Sequence, residues 1–366
     1  MARKIRVGIL FGGRSAEHEV SLQSAKNIVD AIDTKKYEVV LIGIDRKGRW
    51  HLNEEGRFLL PALESRLPEL PEKGKNLALV PGKQHEQLVS LSGQQKLGPL
   101  DVIFPVLHGP FGEDGTVQGL LKLVNVPFVG AGVLGSAVGM DKDVMKRLLR
   151  DAGIPIARFI VATRYSSKQI VFHEVREQVG LPLFVKPANL GSSVGISRVK
   201  DSEAFERAVG EAFQYDHKIL IEECIKGREI EYSVLGNDNP IALVPGEILP
   251  RHEFYSYEAK YLDENGAVLE IPAKLPSDTS ERIRELAIKT FTVLCCEGMA
   301  RVDFFLRNGE EIIVNEINTI PGFTRISMYP KLWEASGISY SELIDRLIQL
   351  ALERFQSEQR LKTDRT

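Results

Sequence analysis

Cysteine is scarce: Cys224, Cys295 and Cys296 are the only three in 366 residues. An odd set without CxxC spacing excludes a disulfide-stapled scaffold and carries no zinc or dithiol signature. No apolar run approaches the roughly 18 residues of a membrane-spanning helix. Met1-Ala-Arg-Lys-Ile-Arg leads straight into a short apolar stretch ending at Gly12, without the pattern of a secretory signal. A cytoplasmic protein with no membrane partner is the expectation. Charge of one sign is lacking too: Lys+Arg 47 against Asp+Glu 50 leaves −3 with no long basic block, so no nucleic-acid partner is expected. What is there, 43% hydrophobic and 27% charged residues, is the make-up of a globular protein, and 366 residues at roughly 150 per domain make two or three packed units.

The chain opens as an α/β unit: an apolar strand over 5–11, the break Gly12-Gly13, and an amphipathic helix over 20–32. Further buried strands are expected over 37–44 and 101–107, the latter running into His108-Gly109-Pro110-Phe111-Gly112-Glu113-Asp114-Gly115. Between them, 53–98 has broken periodicity and reads as peripheral structure or long loops. A helix over 140–150, stopping at Gly153 with Pro155 beyond, follows a boundary near Gly130-Ala-Gly132. Next come strands over 183–186, 195–199 and 218–223 with a helix over 203–213. The remainder reads as a strand over 229–235, an aromatic loop over 254–272, a helix over 280–294, a strand pair and a last helix. The last helix opens on the capping box Ser339-x-x-Glu342, turns Leu343, Leu347 and Ala351 to the core, and frays over 356–366. The expected division is 1–131, 132–224 and 225–366.

Chemistry concentrates in a few stretches. Ala300 to Leu306 and Glu311 to Asn318 flank Asn308-Gly309, a strong hairpin signal. With those two residues as the loop, Arg301 lies opposite Glu316, with Asp303 diagonal to it and Asn318 on the same face. Two carboxylates and an amide oxygen are hard ligands of the kind Mg²⁺ accepts when phosphates complete its shell; a structural ion pair on the strand pair is the alternative. Lys186-Pro187-Ala188-Asn189-Leu190-Gly191-Ser192-Ser193-Val194-Gly195 is a small-residue loop behind a lysine. Its backbone N–H groups could approach phosphate oxygens, although it is not a Walker A loop and an ordinary hairpin loop is the alternative. Lys142 is either a second phosphate ligand or a solvated helical lysine. The strand 219–225 followed by Glu229 could read a nucleoside or be purely structural. Gly12-Gly13-Arg14-Ser15-Ala16-Glu17-His18-Glu19 lacks the G-x-G-x-x-G order, which argues against NAD, and a carboxylate there could hold a substrate ammonium. Tyr255, Tyr257, Lys260 and Tyr261 lie in a stretch that fits either a closing lid or a variable surface loop.

The ordered set of motifs resembles the ATP-grasp ligases, and specifically the D-alanine:D-alanine ligase family, over nearly the whole chain. The resemblance rests on Gly12-Gly13-x-Ser15-Ala16-Glu17-x-Glu19-Val20-Ser21, His108-Gly109 with Gly112 to Gly115, Met140-Asp141-Lys142 and Lys186-Pro187 with Gly191 to Gly195. It continues in Glu258-Ala259-Lys260-Tyr261, Arg301-Val302-Asp303, Asn315 to Thr319 and Pro321-Gly322. It implies a multidomain α/β chain, the ATP-grasp fold preceded by a Rossmann-like domain, and a homodimeric bacterial enzyme joining two D-alanine molecules with ATP through an acylphosphate. The dipeptide would serve peptidoglycan precursor synthesis. Lys142, Lys186 and the loop with Ser193 would meet the phosphates; Glu222, Glu223, Ile225 and Glu229 would surround the nucleoside. Asp303, Glu316 and Asn318 would hold two Mg²⁺ ions, with Mn²⁺ as an alternative. Glu17, Ser192 and Tyr261 would form a set at the first substrate ammonium, Arg301 would face the reacting carboxyl, Ser327 and Lys260 the second carboxylate, and His108 the same region. Glu223 and Leu190 depart from positions where relatives carry lysine or polar residues. A D-lactate-using ligase and a silent ATP-binding protein are the rival readings.

Overall fold

The computed structural model describes residues 3–53, 75–82, 87–91, 97–166, 170–192, 194–250 and 267–362. Its first sheet is built on β1 (Ile5–Gly12), which pairs in parallel with β2 (Tyr37–Ile44) on one side and, on the other, with a strand introduced below. From Val7 to Phe11 the strand is buried continuously, as parallel strands covered on both faces are. It ends in Gly12 and Gly13, both at positive φ (91° and 96°), a turn that a Cβ would strain, and α1 (His18–Ala31) follows.

Three short antiparallel strands, β3 (Trp50–Leu52), β4 (Lys75–Leu79) and β5 (Leu88–Ser90), extend the sheet beyond β2. Two of them come from the stretch expected to be peripheral, where runs of three to five residues are too short to show a period. β6 (Val102–Val106) completes the order β5-β4-β3-β2-β1-β6. After α2 (Thr116–Leu123), the helix expected over 140–150 proves to be the second of a pair, α3 (Val133–Met140) and α4 (Lys142–Asp151). Asp141 separates them: its backbone is extended, and its carboxylate accepts from the N–H groups of Asp143 and Val144, as an N-cap does.

The second sheet has the order β7-β10-β8-β9, all antiparallel. β7 (Phe159–Thr163) precedes α5 (Phe172–Val179), β8 (Leu183–Pro187) and β9 (Ser197–Val199); α6 (Ser202–Tyr215) leads into β10 (Lys218–Glu223). The third sheet, β13-β12-β11-β14-β15, comprises β11 (Arg228–Gly236), β12 (Ile241–Pro250), β13 (Ala267–Glu270), β14 (Gly298–Arg307) and β15 (Glu311–Asn318). The end of the expected aromatic loop is therefore strand β13, while Tyr255, Tyr257, Lys260 and Tyr261 lie outside the described residues. α7 (Ser277–Val293) packs on this sheet through Ile283, Ala287 and Phe291.

The hairpin register differs from the expected one. Its loop spans three residues, with Asn308 and Gly309 at positive φ, so Arg307 pairs with Glu311; a bulge between Asp303 and Phe304 then shifts the ladder once more. Asp303 consequently faces Glu316, and Arg301 faces Asn318. Two one-residue shifts restore the parity of the pleat, so the same four side chains still share a face although their partners changed.

α8 (Met328–Ala335) and α9 (Tyr340–Gln359) end the fold. Ser339 accepts from the Glu342 N–H at 3.3 Å, the N-cap half of the expected capping box, while the Glu342 carboxylate accepts from Arg346 at 2.6 Å. Leu343, Leu347 and Ala351 are buried as expected, in one core with Val7, Ile9, Phe11 and Phe104 of the first sheet, at about 1.5–3 kcal/mol for each large apolar side chain. The helix stays regular to Gln359, three residues beyond the expected start of fraying at 356, because Arg354 donates to the carbonyls of Gly130 and Phe128 (2.6 and 2.8 Å) and Gln359 to Asn125 (2.9 Å); residues 363–366 of that expected stretch lie outside the described residues. Among the described residues no helix is long and apolar enough to cross a membrane.

Candidate active site

One face of the third sheet floors a cavity walled by the loop after β6, the start of α1, the loop after β8 and residues 320–328. Directly opposed residues of antiparallel strands project to the same side. Glu231, Asp303 and Glu316 thus form one row across β11, β14 and β15, and Ser233, Arg301 and Asn318 the next. Arg301 grips Asp303 bidentately, Nε to Oδ1 and Nη2 to Oδ2, both at 2.7 Å, and its Nε also lies 3.0 Å from Glu231 Oε2. Asn318 Nδ2 donates to Asp303 at 3.1 Å.

Six carboxylates, those of Glu17, Glu113, Glu229, Glu231, Asp303 and Glu316, line this cavity with Arg301 and His108. Among the described residues no three His, Cys, Asp or Glu side chains close into a metal cage. Two carboxylates plus an amide in a strongly anionic cavity instead fit a magnesium ion that takes its remaining oxygens from phosphate and water. The expected metal residues are therefore together and chemically suited.

The N-terminal wall brings the expected substrate residues to the same place. Ser192 Oγ donates to the Glu17 carboxylate. Gly109 adopts φ 75°, and a Cβ there would sit 3.1 Å from Glu17 Oε2, so glycine allows this close approach. His108 Nδ1 pairs with the Ile320 carbonyl at 3.0 Å, and burial lowers its pKa, keeping the ring neutral. Glu113 accepts from the N–H groups of Gly109 (2.7 Å) and Ile320 (3.3 Å); burial first, then the Glu17 charge, pushes it well above the ordinary carboxylate range. Ser327 Oγ, 2.7 Å from Thr324 Oγ1, also lines the cavity, and a Cβ on Gly322 would crowd it at 2.7 Å. Tyr261, Lys260 and Ser193 lie outside the described residues.

The phosphate-side residues form a second cluster. Lys142 Nζ donates to the Leu190 carbonyl at 2.6 Å and stands 3.6 Å from Glu316 Oε2, which links α4, the small-residue loop and the carboxylate row. Lys186 pairs with Glu222, whose other oxygen meets Lys146. Burial by itself would raise Glu222, but the two ammonium groups outweigh it and hold the carboxyl down at about 2. Glu223 is directed to Arg158 (3.0 and 2.8 Å) and Arg307 (3.5 Å). Ile225 is half-buried in the connection from β10 to β11, and Glu229 lies with the carboxylate row rather than with Glu222.

Two family models match the chain, described as D-ala D-ala ligase N-terminus over residues 6–131 and D-ala D-ala ligase C-terminus over residues 148–349. The chain belongs to the D-alanine–D-alanine ligase family. Relatives named D-alanine–D-alanine ligase from Oceanobacillus iheyensis and Shouchella clausii are 55% and 57% identical over 363 residues, covering 99% of this chain and 99% and 98% of theirs. The solved D-alanine-D-alanine ligase from Coxiella burnetii superposes with a TM-score of 0.86 at 41% identity, over 98% of this chain and 97% of that one. Within this ligase-family site, sequence reading missed Lys146 and Glu231 as participants. Both signals were present: Lys146 is four residues after Lys142, on the same helical face, and Glu231 is two after Glu229, on the same strand face.

Proposed function

We propose that the chain is an ATP-dependent ligase that joins two D-alanine molecules into D-alanyl-D-alanine through an acylphosphate, releasing ADP and phosphate, for peptidoglycan precursor synthesis in a bacterial cytoplasm. The convergence of Arg301, Asp303, Glu316 and Asn318 with the Glu17–Ser192 pair in one cavity carries this reading. ATP would lie between units 132–224 and 225–366, and the family resemblance extends the proposal to a homodimer.

Asp303, Glu316 and Asn318 would hold magnesium, which supplies charge neutralisation for phosphoryl transfer when bound. Lys142 and Lys186 add point charges on the phosphate side. Glu17, oriented by Ser192, accepts from the ammonium of the first D-alanine. Arg301 stabilises the oxyanion that forms when the second amine attacks the activated carboxyl. Ser327, with Lys260, holds the second carboxylate. Neutral His108 contributes polarity to this wall without adding a competing charge.

The deciding assay is phosphate release from ATP and Mg²⁺ with D-alanine, with L-alanine, and with D-alanine plus D-lactate, the products identified by mass. D-alanine-dependent release with D-alanyl-D-alanine as product is expected. ATP binding without any D-alanine-dependent release would overturn the reading, and a depsipeptide product would reassign the second substrate.

A further inference from the structure

Glu231 has no role in the reading above, yet it is 4% exposed, stands directly beside Asp303 across the β11–β14 ladder and lines the cavity. A buried carboxylate is costly unless it is paired. Its position is enforced: on the β12 side its opposed residue is Gly246, and the space a Cβ would take there is filled by the Met328 thioether. The apolar wall leaves Arg301, 3.0 Å away, as a charged neighbour of opposite sign.

Asp303 is engaged on both oxygens by Arg301 at 2.7 Å. A divalent cation and a bidentate guanidinium on one largely buried carboxylate repel each other more strongly than they would in bulk water. We propose that Glu231 is a positioning residue that takes over the Arg301 guanidinium from the β11 side, freeing Asp303 to turn with Glu316 and Asn318 to the cation. The order of the strands makes this division of labour geometric. Glu231 is on one flank of Asp303 and Glu316 on the other, so arginine and cation are drawn to opposite sides of the same carboxylate. Arg301 stays over the reacting carboxyl without blocking the metal ligand. The inference rests on the ligase reading.

The test is a double-mutant cycle on the full chain, read as Mn²⁺ affinity of the ADP complex by loss of the free-ion paramagnetic signal, together with kcat and KM for dipeptide synthesis. Glu231→Gln should weaken Mn²⁺ binding and lower kcat, each by about 10- to 100-fold, with KM for D-alanine changed much less. In the Arg301→Met background the same substitution should leave Mn²⁺ affinity unchanged, because no guanidinium remains to be drawn off Asp303. Glu231→Asp, which keeps the charge and retracts it, should recover part of the affinity and carries the same test if the glutamine variant does not fold. Native Mn²⁺ affinity in both Glu231 variants, or an equal loss with and without Arg301, would overturn the assignment. Absence of dipeptide synthesis by the native chain would instead remove the ligase reading.

Discussion

Ser192 donates its hydroxyl hydrogen bond to Glu17 across 175 positions of sequence, joining the loop after β8 to the start of α1. This bond closes the cavity on the side where a substrate ammonium is expected. Ser192→Ala removes a neutral donor from a carboxylate, an interaction of about 1.5–3 kcal/mol, and should reduce kcat/KM for D-alanine by about 10- to 100-fold. The thermal midpoint should move little, since Ser192 is half-buried in a loop. Steady-state kinetics that match the native values would remove this bond from the account.

Glu222 neutralises two lysines at once, and both it and Lys146 are buried. Glu222→Gln leaves two ammonium groups facing each other and should destabilise the fold by about 3–5 kcal/mol, read from urea midpoints at neutral pH. Because the native carboxyl is held down at about 2 against an ordinary 4.5, its contribution is complete above pH 4.5 and is lost as pH falls towards 2. The difference between variant and native should therefore shrink across that window. A gap that stays constant from pH 5 to pH 2.5 would contradict the pairing.

Glu316 sits opposite Asp303 and 3.6 Å from Lys142. Glu316→Gln preserves the shape but removes an anionic oxygen ligand, so turnover should fall by at least about 10- to 100-fold even at saturating Mg²⁺, with ATP binding retained through the lysines. Near-normal turnover under those conditions would place the metal elsewhere.

Glu113 shows the opposite sign. Its carboxyl is raised from 4.5 towards about 8 by burial and the neighbouring Glu17 charge, so the folded state binds a proton that the unfolded chain has already released. Stability should decline as pH rises between about 4.5 and 8. Glu113→Gln, a mimic of the protonated group, should flatten that part of the stability profile, and chemical melts at pH 6 and pH 8.5 measure it directly. An unchanged slope in the variant would show that Glu113 is ionised throughout.

Most of the elements were legible locally. β10 spans 218–223 as its short apolar run with β-branched Ile219 and Ile221 implies, the Ser339 cap forms as its spacing dictates, and the glycine break after β1 forms the turn that starts α1. These follow from side-chain chemistry within a few residues, which is information the chain carries at each point. Asp141 falls inside the helix expected over 140–150, and as an N-cap it instead starts α4 and separates it from α3.

The candidate site was legible as a set of residue types, not as a set of contacts. Asn308-Gly309 announced the hairpin, but loop length and a bulge set the register, and both depend on how β14 lies against β11 as well as β15. Likewise the apolar face of α9 was plain in Leu343 and Leu347, while its destination, the sheet built by the first residues of the chain, was not. The sequence alone determined which side chains could bind phosphate, metal and ammonium, because those capacities belong to individual groups. Tertiary structure alone decided that Glu222 serves two lysines and that Arg301 stands between Glu231 and Asp303. Pairing energies depend on distance and burial, and those exist only once segments far apart in the chain are packed together.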